Sequence, residues 1–330
     1  MVKRENKTIK MITTNEEEIL EKMVAEDHPF RQLNKIINFA DIASPYYGLY
    51  SEIGAKGIDI LKGFKCLLVQ YWEDYSDRQM ERAIRENVAV KWFCGFELLE
   101  ATPDHSYFGK LRQRLGAKNI ADIFNQVNEA LRAKGLFGDM FKFIDASAIV
   151  TKTALWKERD EAISDGLKKL DNAVIGKYAA DKDARWGAKS KNKIWFGYKR
   201  HYSVDMRFGL IDKLAVTPAN VPDFRALKDI CPQNQMVFMD KLYDTKNSDL
   251  ILLANGCAAG TIRKNNNKNK NRGLDCWRSG VRMPFEGIFS KLRKRTRCRG
   301  KLKVLFENFG LAICHNLKKA VKILPMEAGA

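Results

Sequence analysis

The chain has 330 residues, 45% of them hydrophobic and 30% charged, which is long enough for two domains with separate cores. No apolar stretch reaches the ~18 residues of a membrane span, and the N-terminus lacks the apolar core of a signal peptide, so the expectation is a cytoplasmic protein. The formal net charge is +18, and residues 261–330 hold 18 Lys/Arg against 4 Asp/Glu, so the basic excess belongs to the C-terminal segment and attracts polyanions.

Seven cysteines are scattered without a CxxC pair, and the four histidines are dispersed. Neither a disulfide framework nor a structural zinc site is expected from them.

The pattern over residues 1–137 is helical. Thr14-Asn-Glu-Glu17 reads as a capping box leading into EEILEKMVAE. Ile60, Leu61, Phe64, Leu67, Leu68 and Tyr71 recur at helical spacing between Ile58 and Trp72. Ser76-Asp-Arg-Gln79 caps a further helix through Met80, Ile84 and Val88. Ala101-Thr-Pro-Asp104 forms a turn before a helix across Tyr107, Phe108, Leu111 and Leu115. Another helix covers Ile120 to Lys134, and Gly135 ends it.

From Gly138 the character changes. MFKFIDASAIV alternates and reads as a strand. Residues 155–184 read as helical or irregular, a possible insertion within 150–193. IWFGYKRHYSVD and GLIDKLAVTPA form a hairpin through Met206–Gly209. VPDFRALKDI is a short helix, MVFMD a strand, Asn247–Asn255 a helix and AAGTIR a strand. NNNKNKNRG is a polar loop. Pro284 opens or kinks a helix running to about Arg297, and a last helix spans Val304 to Lys319. The expectation is an α/β protein, with a mixed-sheet domain at 138–330, ending in basic helices, behind an all-α domain at 1–137.

Three carboxylates stand out. Asp145 ends the apolar run of the first strand, Asp240 closes MVFMD, and Glu286 sits amid strong positive charge in RMPFEGIFSKLRKR. A carboxylate at the end of a buried strand is costly unless it is exposed, paired or bound to metal. Each one alone reads as a capping or ion-paired residue. Together they suit divalent cations and phosphodiester chemistry. On the expected helix, Glu286, Ser290, Arg293 and Arg297 share one stripe, joined by Arg282 if the helix extends back through Pro284. Arginine suits phosphate geometry.

The motifs SDRQMERAIRENVAVKWFCGFEL, ATPDHSYFGKLRQRLG, FIDASAIVTKT, DKDARWGAKSKNKIWFGYKRH, VTPANVPD, FMDKLYDT and RMPFEGIFSKLRKR follow one another over nearly the whole chain. In this order they resemble bacterial DDE transposases of the insertion-sequence 5 group, within the wider insertion-sequence 4/5 superfamily. The resemblance implies a ribonuclease-H-like catalytic domain and a helical N-terminal domain that binds or pairs DNA ends. It implies Asp145, Asp240 and Glu286 as catalytic residues and as ligands of two Mg²⁺ (or Mn²⁺) ions, with Arg282 as the basic residue before the Glu. Water activated by the metals would cut at each element end, and the freed 3′-hydroxyl would attack target DNA. The implied partners are double-stranded DNA, namely terminal inverted repeats and target, and a second copy of the chain, in the bacterial cytoplasm at the nucleoid.

Lys291, Arg293, Lys294 and Arg297, with Lys199, Arg200 and Lys241, are the expected DNA-contacting cations. The sequence departs from the superfamily pattern at Ser279, where Tyr is usual, and at Arg293, where Lys is usual. Only 46 residues separate Asp240 from Glu286, leaving no room for a large insertion between them. His201 reads as a structural or phosphate-binding residue. Asn220 and Asp223 match the family pattern and read as caps of the following helix or as contacts to metal, and Trp186, Trp195 and Trp277 as packing or base-stacking residues. Lys241 and Tyr243 sit where they would orient Asp240 or touch backbone phosphate. The alternative reading is a DNA-binding protein derived from a transposase that no longer cuts.

Overall fold

A computed structural model describes residues 16–50, 57–151, 156–168, 171–190 and 193–324, without the side chains of Trp156 and Lys291. Thr14 of the expected capping box, and part of the candidate insertion, lie outside these residues. The chain divides into two compact units, one up to Leu111 and one from Arg112 onward.

The first unit is helical, as the spacing predicts. It contains α1 (Glu16–Met23), α2 (Pro29–Ile36), α3 (Phe39–Ala43), α4 (Ile60–Trp72), α5 (Asp77–Glu86) and α6 (Val88–Cys94). The start of α7 (His105–Ala133) follows. Asp59 caps α4, and Ser76 with Gln79 completes a capping box on α5. The helix expected to run through Val88 stops at Asn87, whose side chain instead accepts from the Val90 N–H and starts α6. Phe30 stacks on Phe93 at 4.5 Å, and Phe39 meets the same ring edge-on at 5.6 Å. Leu33, Phe64 and Leu67 fill the core around these rings.

α7 carries a non-helical break at Gly116, with φ 67°. The stretch after it, grouped by sequence with the first domain, packs within the second unit. Phe124 lies against Phe309, and Asn128 bonds the Ile211 carbonyl and Asn316.

The second unit is built on one mixed sheet. Its strands are β1 (Phe141–Val150), β2 (Arg185–Ser190), β3 (Lys193–Asp205), β4 (Leu210–Pro218), β5 (Met236–Met239) and β6 (Ala258–Thr261). β3 is long enough to pair with β2 along its first part and with both β1 and β4 along the rest, all antiparallel. β5 then pairs parallel to β1, and β6 parallel to β5. The expected strands and hairpin are all present. β2 is an addition, because Arg-Trp-Gly-Ala-Lys-Ser has no clean alternation and becomes a strand only by pairing with β3. Between β1 and β2 lie α8 (Trp156–Ser164) and α9 (Ile175–Tyr178).

The later helices of this unit are α10 (Leu227–Ile230), α11 (Lys246–Ala254), α12 (Arg272–Glu286) and α13 (Lys301–Ile323). Alternation sorts the faces of β1. Ile144 turns to a core with Leu227, Ile230, Val237, Met239 and Leu252. Phe143 turns the other way, to Phe285 and Phe289. Asp145, two residues on, shares the Phe143 face.

The helix expected from Pro284 to Arg297 lies further upstream. Asn271 caps its start, accepting from the Leu274 N–H at 3.0 Å, and Pro284 sits inside its last turn, where it forfeits one hydrogen bond. Beyond Gly287 the chain makes a 3-10 turn and then runs extended, with Val150 and Thr296 linked at 3.0 Å. Buried Glu307 accepts from the Arg293 and Thr296 side chains and from the Arg297 N–H. This acceptor hub offers tertiary partners that a continued helix would lose, so the stripe of Glu286, Ser290, Arg293 and Arg297 does not form.

Gly197 marks the tightest backbone approach beside β1. Its φ is 150°, and a Cβ there would lie 2.1 Å from the Ile149 carbonyl oxygen. Gly197→Ala is expected to cost about 3 kcal/mol, from a strained φ and a forced shift of β1. Urea unfolding of the two proteins measures this, and a loss below about 1 kcal/mol would refute the close approach.

Candidate active site

Parallel pairing of β1 with β5 sets Ile144 opposite Met239, so Asp145 and Asp240 are the next residues on two adjacent strands. Neighbouring strands run about 4.8 Å apart, which brings the two carboxylates together. The sequence reading set Asp145 at a strand end, whereas β1 continues to Val150. It is β5 that ends there, and Asp240 caps the following turn by accepting from the Leu242 N–H. Asp145 accepts from the Ala146 N–H at 2.8 Å.

The environment of Asp145 is dry, with protein atoms around the carboxylate although part of the residue still meets solvent. Burial pushes this carboxyl up to about 6, and the Asp240 charge adds to the rise. The Ala146 amide and the charges of Arg282 and Lys189 oppose it. Tyr243 lies close to both acids and to Asp223, and its buried hydroxyl has no hydrogen-bond partner. Burial and these acids hold the phenol well above its usual value, so it stays a proton donor.

Arg282 comes from α12. Its guanidinium lies 5.3 Å from the Phe143 ring centroid and 3.6 Å from a carboxylate oxygen of Glu286, one helical turn on. Arg282 is buried and its Nε lacks a partner, whereas Glu286 is exposed. The site therefore joins Asp145, Asp240 and Arg282, with Glu286 tied to the same arginine. Among the described residues no group of three potential ligands is close enough to hold a metal ion without rearrangement. The pair Asp145–Asp240 is nonetheless hard oxygen chemistry, with the Asp145 carboxylate desolvated, which fits a divalent cation.

The expected DNA-contacting cations divide into two sets. Lys199 pairs with Asp223, which therefore does not cap the next helix. Arg200 is 2% exposed and donates to the Arg293 carbonyl, so it presents no charge to a ligand in this conformation. Arg293 is held by Glu307. Lys241, Lys294 and Arg297 are exposed, and the Lys291 side chain lies outside the described residues.

His201 is fully buried with Nε2 2.8 Å from the Thr217 hydroxyl, and burial lowers it to about 4. It is neutral at physiological pH, which suits a structural role. Trp186 packs on Phe196, Trp195 donates to the Tyr198 carbonyl at 3.1 Å, and Trp277 is 53% exposed beside Phe238. Asn220 is exposed.

Sequence reasoning missed Lys189, whose charge reaches Asp145 from β2. The run Ala-Lys-Ser-Lys-Asn-Lys carries three lysines at alternate positions, and only tertiary pairing distinguishes them.

Two family profiles match the chain. One, described as a transposase domain, covers residues 18–114, and the other, described as a transposase DDE domain, covers residues 138–317. The second match spans more than half of the sequence and contains Asp145, Asp240, Arg282 and Glu286. The chain belongs to the DDE transposases and is a DNA transposase.

Proposed function

We propose that this transposase acts on the ends of an insertion sequence of the insertion-sequence 5 group, with Asp145, Asp240 and Glu286 as its catalytic carboxylates. Transposases of this family act on DNA with divalent metal ions. The observation that carries the assignment is the adjacency of Asp145 and Asp240 on β1 and β5, beside a buried arginine that pairs with Glu286. These three carboxylates would hold two Mg²⁺ or Mn²⁺ ions. Held there, the ions would lower the pKa of a coordinated water and stabilise charge on the leaving oxygen.

The protein residues supply placement. The β1–β5 register sets the two aspartates, and Phe143 with Phe285 packs α12 against the sheet. Arg282 offers positive charge beside the acids, where a phosphate would be drawn. The polar loop at 264–271 and the basic cluster from Lys291 to Lys303 would track the DNA backbone without reading bases. End recognition is assigned to the helical N-terminal domain, residues 1–137. Both ends of an element must be held together, so a homodimer or larger assembly on DNA is part of the proposal, at the bacterial nucleoid in the cytoplasm.

The test is cleavage of a duplex carrying the element's own end, in Mg²⁺ or Mn²⁺. Wild type is expected to cut at the element boundary, and EDTA to abolish cutting. Glu286→Gln is expected to lose about 10²-fold or more in cleavage, with duplex binding unchanged. Binding without cleavage by wild type in either metal would indicate the non-cutting derivative. Full cleavage by Glu286→Gln would place the third carboxylate elsewhere.

A further inference from the structure

Arg282 and several of the expected DNA-contacting cations are engaged by the protein itself. Arg282 is buried against Phe143 and Glu286, Arg200 donates to a backbone carbonyl, Lys199 pairs with Asp223, and Arg293 is held by Glu307. Lys189 differs. It is exposed, and among the described residues it forms no hydrogen bond or ion pair.

Its position is set by β2. Gly187 in that strand is pressed against the end of β4, where a Cβ would fall 2.7 Å from the Ala219 Cβ and carbonyl oxygen. Ala219 opens the loop that leads to Asp223, and Asp223 lies close to Tyr243 together with Asp145 and Asp240. β2 is thus fastened to the loop that borders the carboxylates. Just past Gly187 the register slips between Ala188 and Ser190, and Lys189 has no partner on β3. Bulges of this kind re-aim a side chain and recur beside active sites. The Lys189 charge favours the ionised form of the Asp145 carboxylate, with no ion pair between them.

We infer that Lys189 is a substrate-positioning residue that contacts the phosphate being cut, delivered to the carboxylates by the bulge in β2. This rests on the placement of the active site at Asp145 and Asp240. A phosphodiester beside two metal-binding carboxylates keeps non-bridging oxygens that need a partner, and a mobile point charge such as lysine serves them. The chemistry recognised is a backbone phosphate of duplex DNA, independent of base sequence.

Two measurements on the full-length chain test it, comparing wild type with Lys189→Ala and Lys189→Arg. The first is the salt dependence of binding to a duplex carrying the element end, in Ca²⁺. Loss of one phosphate contact by Lys189→Ala lowers the slope of log K against log[salt] by about 0.9. The second is single-turnover cleavage in Mg²⁺, where Lys189→Ala is expected to be slowed about 10²-fold and Lys189→Arg to recover most of the rate. A reduced slope together with arginine rescue supports the contact. An unchanged slope with normal cleavage overturns it and leaves the carboxylate assignment standing. A reduced slope in a protein whose wild type does not cut supports the phosphate contact and removes the cleavage reading instead. Absence of DNA binding by wild type overturns both.

Discussion

Asp145→Asn is expected to abolish end cleavage, by about 10³-fold or more, while making the metal-free protein more stable at neutral pH. The activity loss follows from removing one of two adjacent carboxylates that would share divalent cations. The stability gain follows from the environment of this residue. Burial pushes the folded-state carboxyl up to about 6, against 3.8 without it. Between these values the folded protein binds a proton that the unfolded chain does not. This contribution is fully present below pH 3.8 and is lost as pH rises through 6, so above pH 7 the ionised aspartate is a net cost. Allowing for its partial contact with solvent, about 1–2 kcal/mol is recovered by the neutral amide.

Calorimetry in EDTA at pH 4.5 and pH 7.5 measures this. The variant should melt a few degrees above wild type at pH 7.5, with a smaller difference at pH 4.5. An equal difference at both pH values would show that Asp145 is not desolvated. Added Mg²⁺ should raise the melting temperature of wild type more than that of the variant, since only wild type offers both carboxylates. Stability given up at a site that must bind a cation is a familiar trade between function and folding.

Lys142→Met should be the most destabilising single change on β1. Lys142 is fully buried three residues before Asp145, and its ammonium lies 3.1 Å from Asp205 and 3.0 Å from Asp212. Asp205 is also fully buried, and it accepts from the backbone N–H groups of Gly138, Asp139 and Arg207. Arg132 of α7 reaches Asp212 from the other side, at 3.0 Å. Removing the lysine leaves buried carboxylate charge uncompensated, which costs about 3–5 kcal/mol. Because Lys142 and Asp205 are register partners, the loss also loosens the β1–β3 pairing that holds Asp145. Guanidinium unfolding of Lys142→Met, Asp205→Asn and the double variant gives the coupling energy. A single-variant loss under 1 kcal/mol would mean that water reaches the network and screens it.

Comparison of particular elements shows where sequence is informative. The α4, α5, β1, β3, β4 and β5 segments each carry local instructions: capping residues such as Ser76, apolar positions at helical spacing, or β-branched alternation bounded by glycine. The order of the motifs around Asp145, Asp240 and Glu286 likewise identifies the family without coordinates. The helix carrying Glu286 was misplaced because Pro284 resembles a start signal, while the true cap, Asn271, is hidden in a run of asparagines and lysines. Its end depends on Glu307, a residue distant in sequence whose oxygens are offered to Arg293, Thr296 and Arg297.

Basic residues were the least legible. Lysine and arginine near a predicted site read alike in sequence, yet Arg200 is buried against a carbonyl, Lys142 holds a core network and Lys189 stands exposed near the acids. By itself the sequence determined the class of the protein and the mixed helical and strand succession, and it singled out Asp145 and Asp240 as candidates. Those depend on local propensity and on residue types at short range. Only the tertiary structure decided that Asp145 and Asp240 are neighbours, which arginines are engaged and where α12 ends. Strand register and the partners of buried charge are set by contacts between residues far apart in the chain.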